Sequence, residues 1–306
     1  VRYEISYGKA EVRVYRTHAT PLRGVSTIPE SAFNGRDNAL FGAELEIVVR
    51  GEAFLEAYTH GDNRRVVATD TMKNFIVSSA LGCTSATLEG WLHEIGSAFL
   101  SAYPHMERLT MRGRQLPFSP ALVARADGFA LSDRLFGRDR NDHSAASLDL
   151  ERGELGEAQI TDLRSSRAEL QLIKLTGSSF AHFARDEHTT LPERGDRPLY
   201  IWCDIGWRYT DAADALGSDP SVYVDGEQAA DLAASVFADF VSLSIQHLVH
   251  EIGTRMLDRF PQLAEVSFDA QNRLWDIGEI SDDDDRLRVY VDPRPPFGRI
   301  GLVLRR

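Results

Sequence analysis

The stretch Ile245–Asn272, IQHLVHEIGTRMLDRFPQLAEVSFDAQN, decides how the rest of the chain is read. Leu248, Val249, Ile252, Met256, Leu257 and Phe260 fall on one face of an α-helix. Pro261 cannot continue that helix, and Val266, Phe268 and Ala270 then alternate as in a half-buried strand. The stretch has a twin. Trp91–Met111 (WLHEIGSAFLSAYPHMERLTM) matches Leu248–Phe268 (LVHEIGTRMLDRFPQLAEVSF) at His93/His250, Glu94/Glu251, Ile95/Ile252, Gly96/Gly253, Leu100/Leu257 and Pro104/Pro261, every pair 157 residues apart. That spacing is close to half of the 306-residue chain. Helix, stop and strand repeat together, so the simplest reading is one supersecondary unit used twice.

The chain is longer than the roughly 100–200 residues of a usual domain, which fits two units divided near the middle, 1–152 and 153–306. A hydrophobic content of 43% with 26% charged residues is that of a globular protein. Lys+Arg 34 against Asp+Glu 46 gives a net charge of −12, which argues against a duplex nucleic-acid binder that must neutralise phosphates. Cys83 and Cys203 form no CxxC pair, so a reducing cytoplasm is expected. No apolar run reaches the ~20 residues of a membrane span, and no signal-peptide pattern is seen.

Tyr3–Tyr15 (YEISYGKAEVRVY) reads as a strand whose phase flips: Tyr3, Ile5 and Tyr7 are apolar at odd positions, Ala10, Val12 and Val14 at even ones. A bulge at Gly8-Lys9 accounts for the flip, and bulges re-aim side chains beside sites. Lys9 is therefore a candidate site residue; a solvated lysine on an edge strand fits the same pattern. Ala43–Val49 alternates as a second strand, Thr69-Asp70-Thr71 offers a cap to a helix over Met72–Leu81, and Thr87 caps the next. Strands near Glu107–Gln115 and Ser144–Glu151 complete β-β-α-α-β-β, with residues 117–142 read as loop. The second half repeats the order. Ala168–Leu175 and Leu199–Tyr209 are its first strands, and Asp225-Gly226-Glu227-Gln228 has capping-box spacing before a helix. Val289 and neighbours, the PRPPFG run at Pro293–Gly298 and a strand around Ile300–Leu304 close the chain. The Asp282–Asp285 run reads as a solvated hairpin loop.

No Gly-rich phosphate loop, no G-x-S-x-G elbow and no H-E-x-x-H is found. His247 and His250 lie three apart beside Glu251, a spacing that suits two zinc ligands; the repeat of His93-Glu94 in the first half favours a shared structural role.

Several segments, in order along the chain, resemble the urate oxidase (uricase) family. They are Tyr7-Gly8-Lys9 with Val12-Arg13; Val67-Ala68-Thr69-Asp70-Thr71-Met72-Lys73-Asn74; Phe180 with Arg185-Asp186, Thr189-Thr190-Leu191 and Asp196-Arg197; Ile245-Gln246; and Asn272. The resemblance implies an α+β tunnelling fold (T-fold), with two ββααββ units per subunit and antiparallel sheets, and an oligomeric β-barrel tunnel in a homotetramer. It implies oxidation of urate by O₂ to 5-hydroxyisourate and hydrogen peroxide without metal or organic cofactor. By resemblance Arg197 clamps one edge of the anionic ring, Gln246 and the backbone of Ile245 hold the opposite edge, and Phe180 stacks on its face. Asp70, through its backbone, and Thr69 complete the cradle; Lys9 and Thr69, the latter from a neighbouring subunit, handle the proton; Asn272 and Thr69 hold O₂ or peroxide. The family often places a histidine two residues after the asparagine, where this chain has Leu274, which cannot carry a proton. A purine binder without turnover through that loss, and a pterin-forming enzyme of the same fold, are the alternatives. The latter tends to need an acidic anchor and often a histidine-bound zinc, whereas Arg197 with Gln246 suits an anionic ring. The ending Leu304-Arg305-Arg306 lacks the peroxisomal S-K-L signal.

Overall fold

The computed structural model describes residues 2–138, 140–273, 275–291 and 296–306. Leu274, Asp139 of the charged run and Pro293–Pro295 of the PRPPFG run lie outside the described residues.

In the first half the order is β1 (Ser6–Thr17), the short β2 (Leu22–Arg23) and β3 (Gly35–Arg36), and β4 (Leu40–Arg50). Then come α1 (Leu55–Thr59), α2 (Thr69–Gly82), α3 (Leu88–Ala102), β5 (Arg108–Gln115), β6 (Ser119–Arg125), β7 (Gly128–Gly137) and β8 (His143–Arg152). The second half has β9 (Ala158–Lys174), β10 (Leu199–Tyr209), α4 (Gly226–Asp239), α5 (Ile245–Arg259), β11 (Leu263–Arg273), β12 (Asp276–Ile280), β13 (Arg288–Val291) and β14 (Gly298–Arg305). Set the short pieces aside and each half runs β-β-α-α-β-β. The helices α4 and α5 begin and end 157 residues after α2 and α3.

One antiparallel sheet carries eight of the strands in the order β1-β4-β5-β8-β9-β10-β11-β14. The fold class is α+β. Alternation explains the buried face: Ala43, Leu45, Ile47 and Val49 of β4, and Leu199, Ile201, Cys203, Ile205, Trp207 and Tyr209 of β10, all point into the core. Helix stripes meet that face, with Trp91 of α3 against Phe41 at 4.6 Å between ring centroids. Phe75 of α2, half-buried, packs edge-on against Phe99 of α3 at 5.3 Å. The buried residues of both halves form one continuous hydrophobic layer. Thr87 and Ser244 cap α3 and α5 by accepting from Gly90 N and His247 N, and Asp225 with Gln228 forms the capping box of α4.

Both halves share a further irregularity. In β1 the register shifts between Lys9 and Val12, with Glu11 in the left-handed region at φ 56°. In β9 it shifts between Arg167 and Leu170, with Glu169 at φ 60°. Arg167 is therefore the second-half counterpart of Lys9. The bulge sets Ala10 and Glu11 against the single residue Glu46, one extra residue just beyond the Gly8-Lys9 step that the phase flip suggests. Gly8 is required for another reason: a Cβ there would lie 2.0 Å from the Ile47 carbonyl oxygen across the pair.

Three expectations change. The helix foreseen over Met72–Leu81 begins at Thr69, with Ala68 at its cap position and no side-chain cap, so the Thr69 hydroxyl is not spent on the helix. Residues 117–142 are not all loop: β6 and β7 form a hairpin, hidden from pattern reading because Leu122, Phe129 and Leu131 stay exposed and no alternation results. Strand β9 starts ten residues before Ala168, its length masked by the bulge that reverses its phase.

Candidate active site

The candidate residues fall into two sets. Phe180 and Arg197 lie in the connection from β9 to β10, Ile245 and Gln246 open α5, and Asn272 is on β11, next to the edge strand β14. The loop after β9 and the loop before β10 are joined by paired backbone bonds between Phe180 and Arg194, both 2.9 Å, and by Arg197 N donating to Ser178 O at 2.8 Å. Asp196 accepts from Thr176 Oγ1 at 2.6 Å and from Gly177 N at 2.7 Å. These bonds hold its carboxyl below the usual range against some burial, with further help from the amides of Ser178 and Arg197. The loop leading into α5 is tied to the same knot: Ser179 N donates to Ser242 O at 2.8 Å, and Ser242 Oγ to Ser178 Oγ at 3.0 Å, both serines buried. Lys174 Nζ donates to the carbonyls of Phe237 and Phe240 at 2.9 and 3.0 Å, fixing the end of α4.

This knot aims the functional groups. The Arg197 guanidinium lies 5.5 Å from the Phe180 ring centroid, and Phe180 stacks on Phe183 at 4.9 Å with the rings 11° apart. Burial, then the charge of Arg194, pushes the Arg197 guanidinium below its usual range; a guanidinium stays charged even so. Among the described residues, the buried Arg197 Nε and Asn272 Oδ1 have no hydrogen-bond partner. Ser244 takes the N–H of His247, while Ile245 and Gln246, the first two residues of α5, have amides that no helical carbonyl can reach. Gln246 is exposed and Ile245 buried. Asn272 is on β11, paired with Ile201 of β10 and Gly298 of β14. The His247 ring packs edge-on against Phe240 at 4.5 Å.

Lys9, Thr69 and Asp70 form the other set. Lys9 is half-buried on β1, the outermost strand, and Thr69 and Asp70 are exposed at the start of α2. Lys73 and Asn74 hydrogen-bond the Asp70 carboxylate, and Lys73 above all, with a smaller effect of Lys9, holds it below the usual range. Tyr7 OH accepts from Val67 N at 2.9 Å, anchoring the approach to α2 on β1. Within one chain the two sets are not brought together. Lys9 and Asn272 are on the first and seventh strands of the sheet, roughly 29 Å apart along it at about 4.8 Å per strand.

A model of the uricase family matches residues 5–146 and 163–301. The chain belongs to the uricase family. It is 47% identical to the uricase of Haloferax volcanii over 96% of both chains. It is 45% identical to the uric acid degradation bifunctional protein of Bacillus sp. TB-90 over 95% of this chain and 58% of that one. Against this and the bifunctional protein of Bacillus subtilis the chain spans about six-tenths of the relative's length. A crystal structure of Bacillus sp. TB-90 urate oxidase superposes with a TM-score of 0.96 at 43% identity, covering 99% of this chain and 100% of that one.

Family membership accounts for the spaced segments from Tyr7 to Asn272. The positioning residues Ser178, Ser242 and Asp196 received no role from the sequence, because a serine pair 64 positions apart has no spacing signal. Only the adjacency of Asp196 to Arg197 hinted at one of them.

Proposed function

We propose that the protein is a urate oxidase: urate, O₂ and water become 5-hydroxyisourate and hydrogen peroxide, with no metal or organic cofactor taking part. Arg197 clamps the anionic ring with its planar fork, Gln246 and the Ile245 amide hold the facing edge, and Phe180 stacks on it. Lys9, through the Thr69 hydroxyl, removes a proton from urate, which makes the ring electron-rich enough for O₂. The amide of Asp70 completes the cradle, and Asn272 with Thr69 holds the oxygen species. With Leu274 at the usual histidine position, the relay ends in Lys9, Thr69 and water. The observation that carries this reading is the unpartnered buried Nε of Arg197, whose guanidinium lies over the Phe180 ring, with the buried Asn272 Oδ1 likewise unpartnered. Such atoms are costly unless a ligand satisfies them.

The site is completed by a second copy. The two halves are duplicated T-fold units, and the β8–β9 seam between them is the template for copy-to-copy pairing of the free edges β14 and β1 in a tunnel-forming homotetramer. At the seam Ser144 is opposite Arg167 and Leu148 opposite Leu163. Arg114 faces Ala145 in one half and Gln271 faces Arg299 in the other, so Ser144 corresponds to Gly298. The template therefore sets Gly298 of one copy opposite Lys9 of the next, and Leu302 opposite Ile5. Lys9 and Thr69 then reach the ring held by Arg197.

The test follows urate's ultraviolet absorbance, O₂ uptake and peroxide after exhaustive chelation and dialysis. Equimolar O₂ consumption and peroxide release are expected to persist. Activity that disappears with the chelator, or tight urate binding without peroxide, overturns the reading.

A further inference from the structure

If β8–β9 is the internal image of the catalytic joint, the chain contains an internal image of the catalytic pocket too. A cavity of about 330 Å³ lies there, lined among others by Gln115, Ser144, Arg167 and Glu227. Each is a counterpart of a residue at the proposed urate site. Gln115 corresponds to Asn272 and Glu227 to Asp70 at the 157-residue spacing, Arg167 to Lys9 by the shared bulge, and Ser144 to Gly298 by strand register. Thr69 corresponds to Gly226, where a Cβ would lie 2.3 Å from Ser144 Oγ, so no relay hydroxyl fits. Gln246 corresponds to Glu89, buried and turned to Ser165 Oγ at 2.6 Å and the Tyr223 hydroxyl at 3.1 Å.

What fills the image is protein charge. Arg167, 3% exposed at its side chain, donates through Nε to Asp142 at 2.8 Å and through Nη1 to Glu227 at 3.0 Å. Arg140 donates through Nε to the other Asp142 oxygen at 2.9 Å and through Nη1 to the other Glu227 oxygen at 2.8 Å. Two guanidinium forks thus share two carboxylates, the arrangement a guanidinium pair would offer to a bound oxyanion.

We propose that this cavity is a second, disarmed copy of the ligand pocket, in which the Glu227 and Asp142 carboxylates engage the Arg140 and Arg167 guanidinium groups of its wall that would otherwise hold a small anionic ligand. The chemical class it takes, once a protein carboxylate is removed, is a small monocarboxylate such as acetate or formate. The proposal rests on the duplication stated above, and its test uses no urate.

The experiment is chemical rescue in the full-length protein. Asp142→Ala leaves Arg167 and Arg140 facing a carboxylate-sized void. Its melting temperature is expected to fall, and acetate to restore part of it, by about 1–2 °C at several times the Kd for a chain of this size and rising with the logarithm of its concentration. Chloride at matched ionic strength is expected to give no such rise, nor acetate with the unaltered protein. Adding Arg167→Met to Asp142→Ala is expected to abolish the acetate effect. Should Asp142→Ala fail to fold, Glu227→Ala, whose side chain is 34% exposed, carries the same titration. An acetate response equal in variant and parent, or one that survives Arg167→Met, overturns the proposal. Failure of the unaltered protein to oxidise urate sinks the functional reading and leaves this titration to be judged alone.

Discussion

The roles proposed for Arg197 and Lys9 differ, and substitutions separate them. Arg197 is half-buried with an idle Nε, so on that proposal Arg197→Ala removes ligand attraction present before any chemistry. We expect KM to rise about 100-fold, the scale of a lost charge-assisted bidentate contact, with kcat changed much less. Lys9→Met and Thr69→Ala are expected to lower kcat by about 10²–10⁴ with KM nearly unchanged, as loss of a proton acceptor does. Steady-state urate kinetics decides; equal damage to KM from all three would contradict the division of roles. Asp142 allows a pH prediction. Burial alone would raise its carboxyl, but hydrogen bonds from Arg140 and Arg167 outweigh burial and hold it low. The native state then holds fewer protons than the unfolded chain between the lowered value and about 3.9. Its contribution to stability is present above that unfolded value and is lost as pH falls through the folded one. Denaturant titration from pH 6 to 3 is expected to show a shallower acid loss in Asp142→Asn than in the parent. At this scale the sequence was legible where a residue carries charge in a spaced segment, as at Lys9 and Arg197. It was silent on Ser178, Ser242 and the Arg167 network, whose partners are distant in the chain and meet only through the sheet.

Helix starts show how an element can serve two ends. Asp225 caps α4 and also takes the Arg36 guanidinium, itself mostly buried, across the seam. Asp225→Asn keeps a capping side chain but removes the charge; Asp225→Ala removes both. Loss of a cap costs about 1 kcal/mol and stranding a buried ion-pair partner about 3–5 kcal/mol, so the asparagine variant is expected to lose most of what the alanine variant loses. Equal stability of Asp225→Asn and the parent in denaturant unfolding would contradict the buried pair. The start of α2 is the reverse case, with no side-chain cap, an exposed threonine and an exposed aspartate. Capping boxes and the stripes of α3 and α5 were readable because they are local, at spacings of three and four. The β6–β7 hairpin was not, since neither of its faces is buried enough to write alternation into the sequence.

For the whole molecule, the order of strands leaves β1 and β14 as the two edges of one sheet, with Lys9 on β1 and Asn272 on β11, next to β14. Mixing decides whether they meet between copies. At urate near the parental KM or below, where Lys9→Met and Arg197→Ala chains are each nearly inactive, the two are expected to regain about one quarter of parental activity when co-refolded in equal amounts. Random pairing gives that share of sites both intact residues. No recovery would mean the residues act within one chain. The repeat of 157 residues was legible in the stretch Trp91–Met111 and its twin Leu248–Phe268. That the halves share a single sheet was not, because a seam between units leaves no mark in either unit's own periodicity.

Under the proposed completion of the site by a second copy, the two sheet edges have a kinetic consequence. A chain built this way behaves as one reactant of a bimolecular assembly, so specific activity should decline on dilution even when every copy is correctly folded. A substitution on β14 that only loosens the union would then mimic a chemical defect in a dilute assay and look normal in a concentrated one.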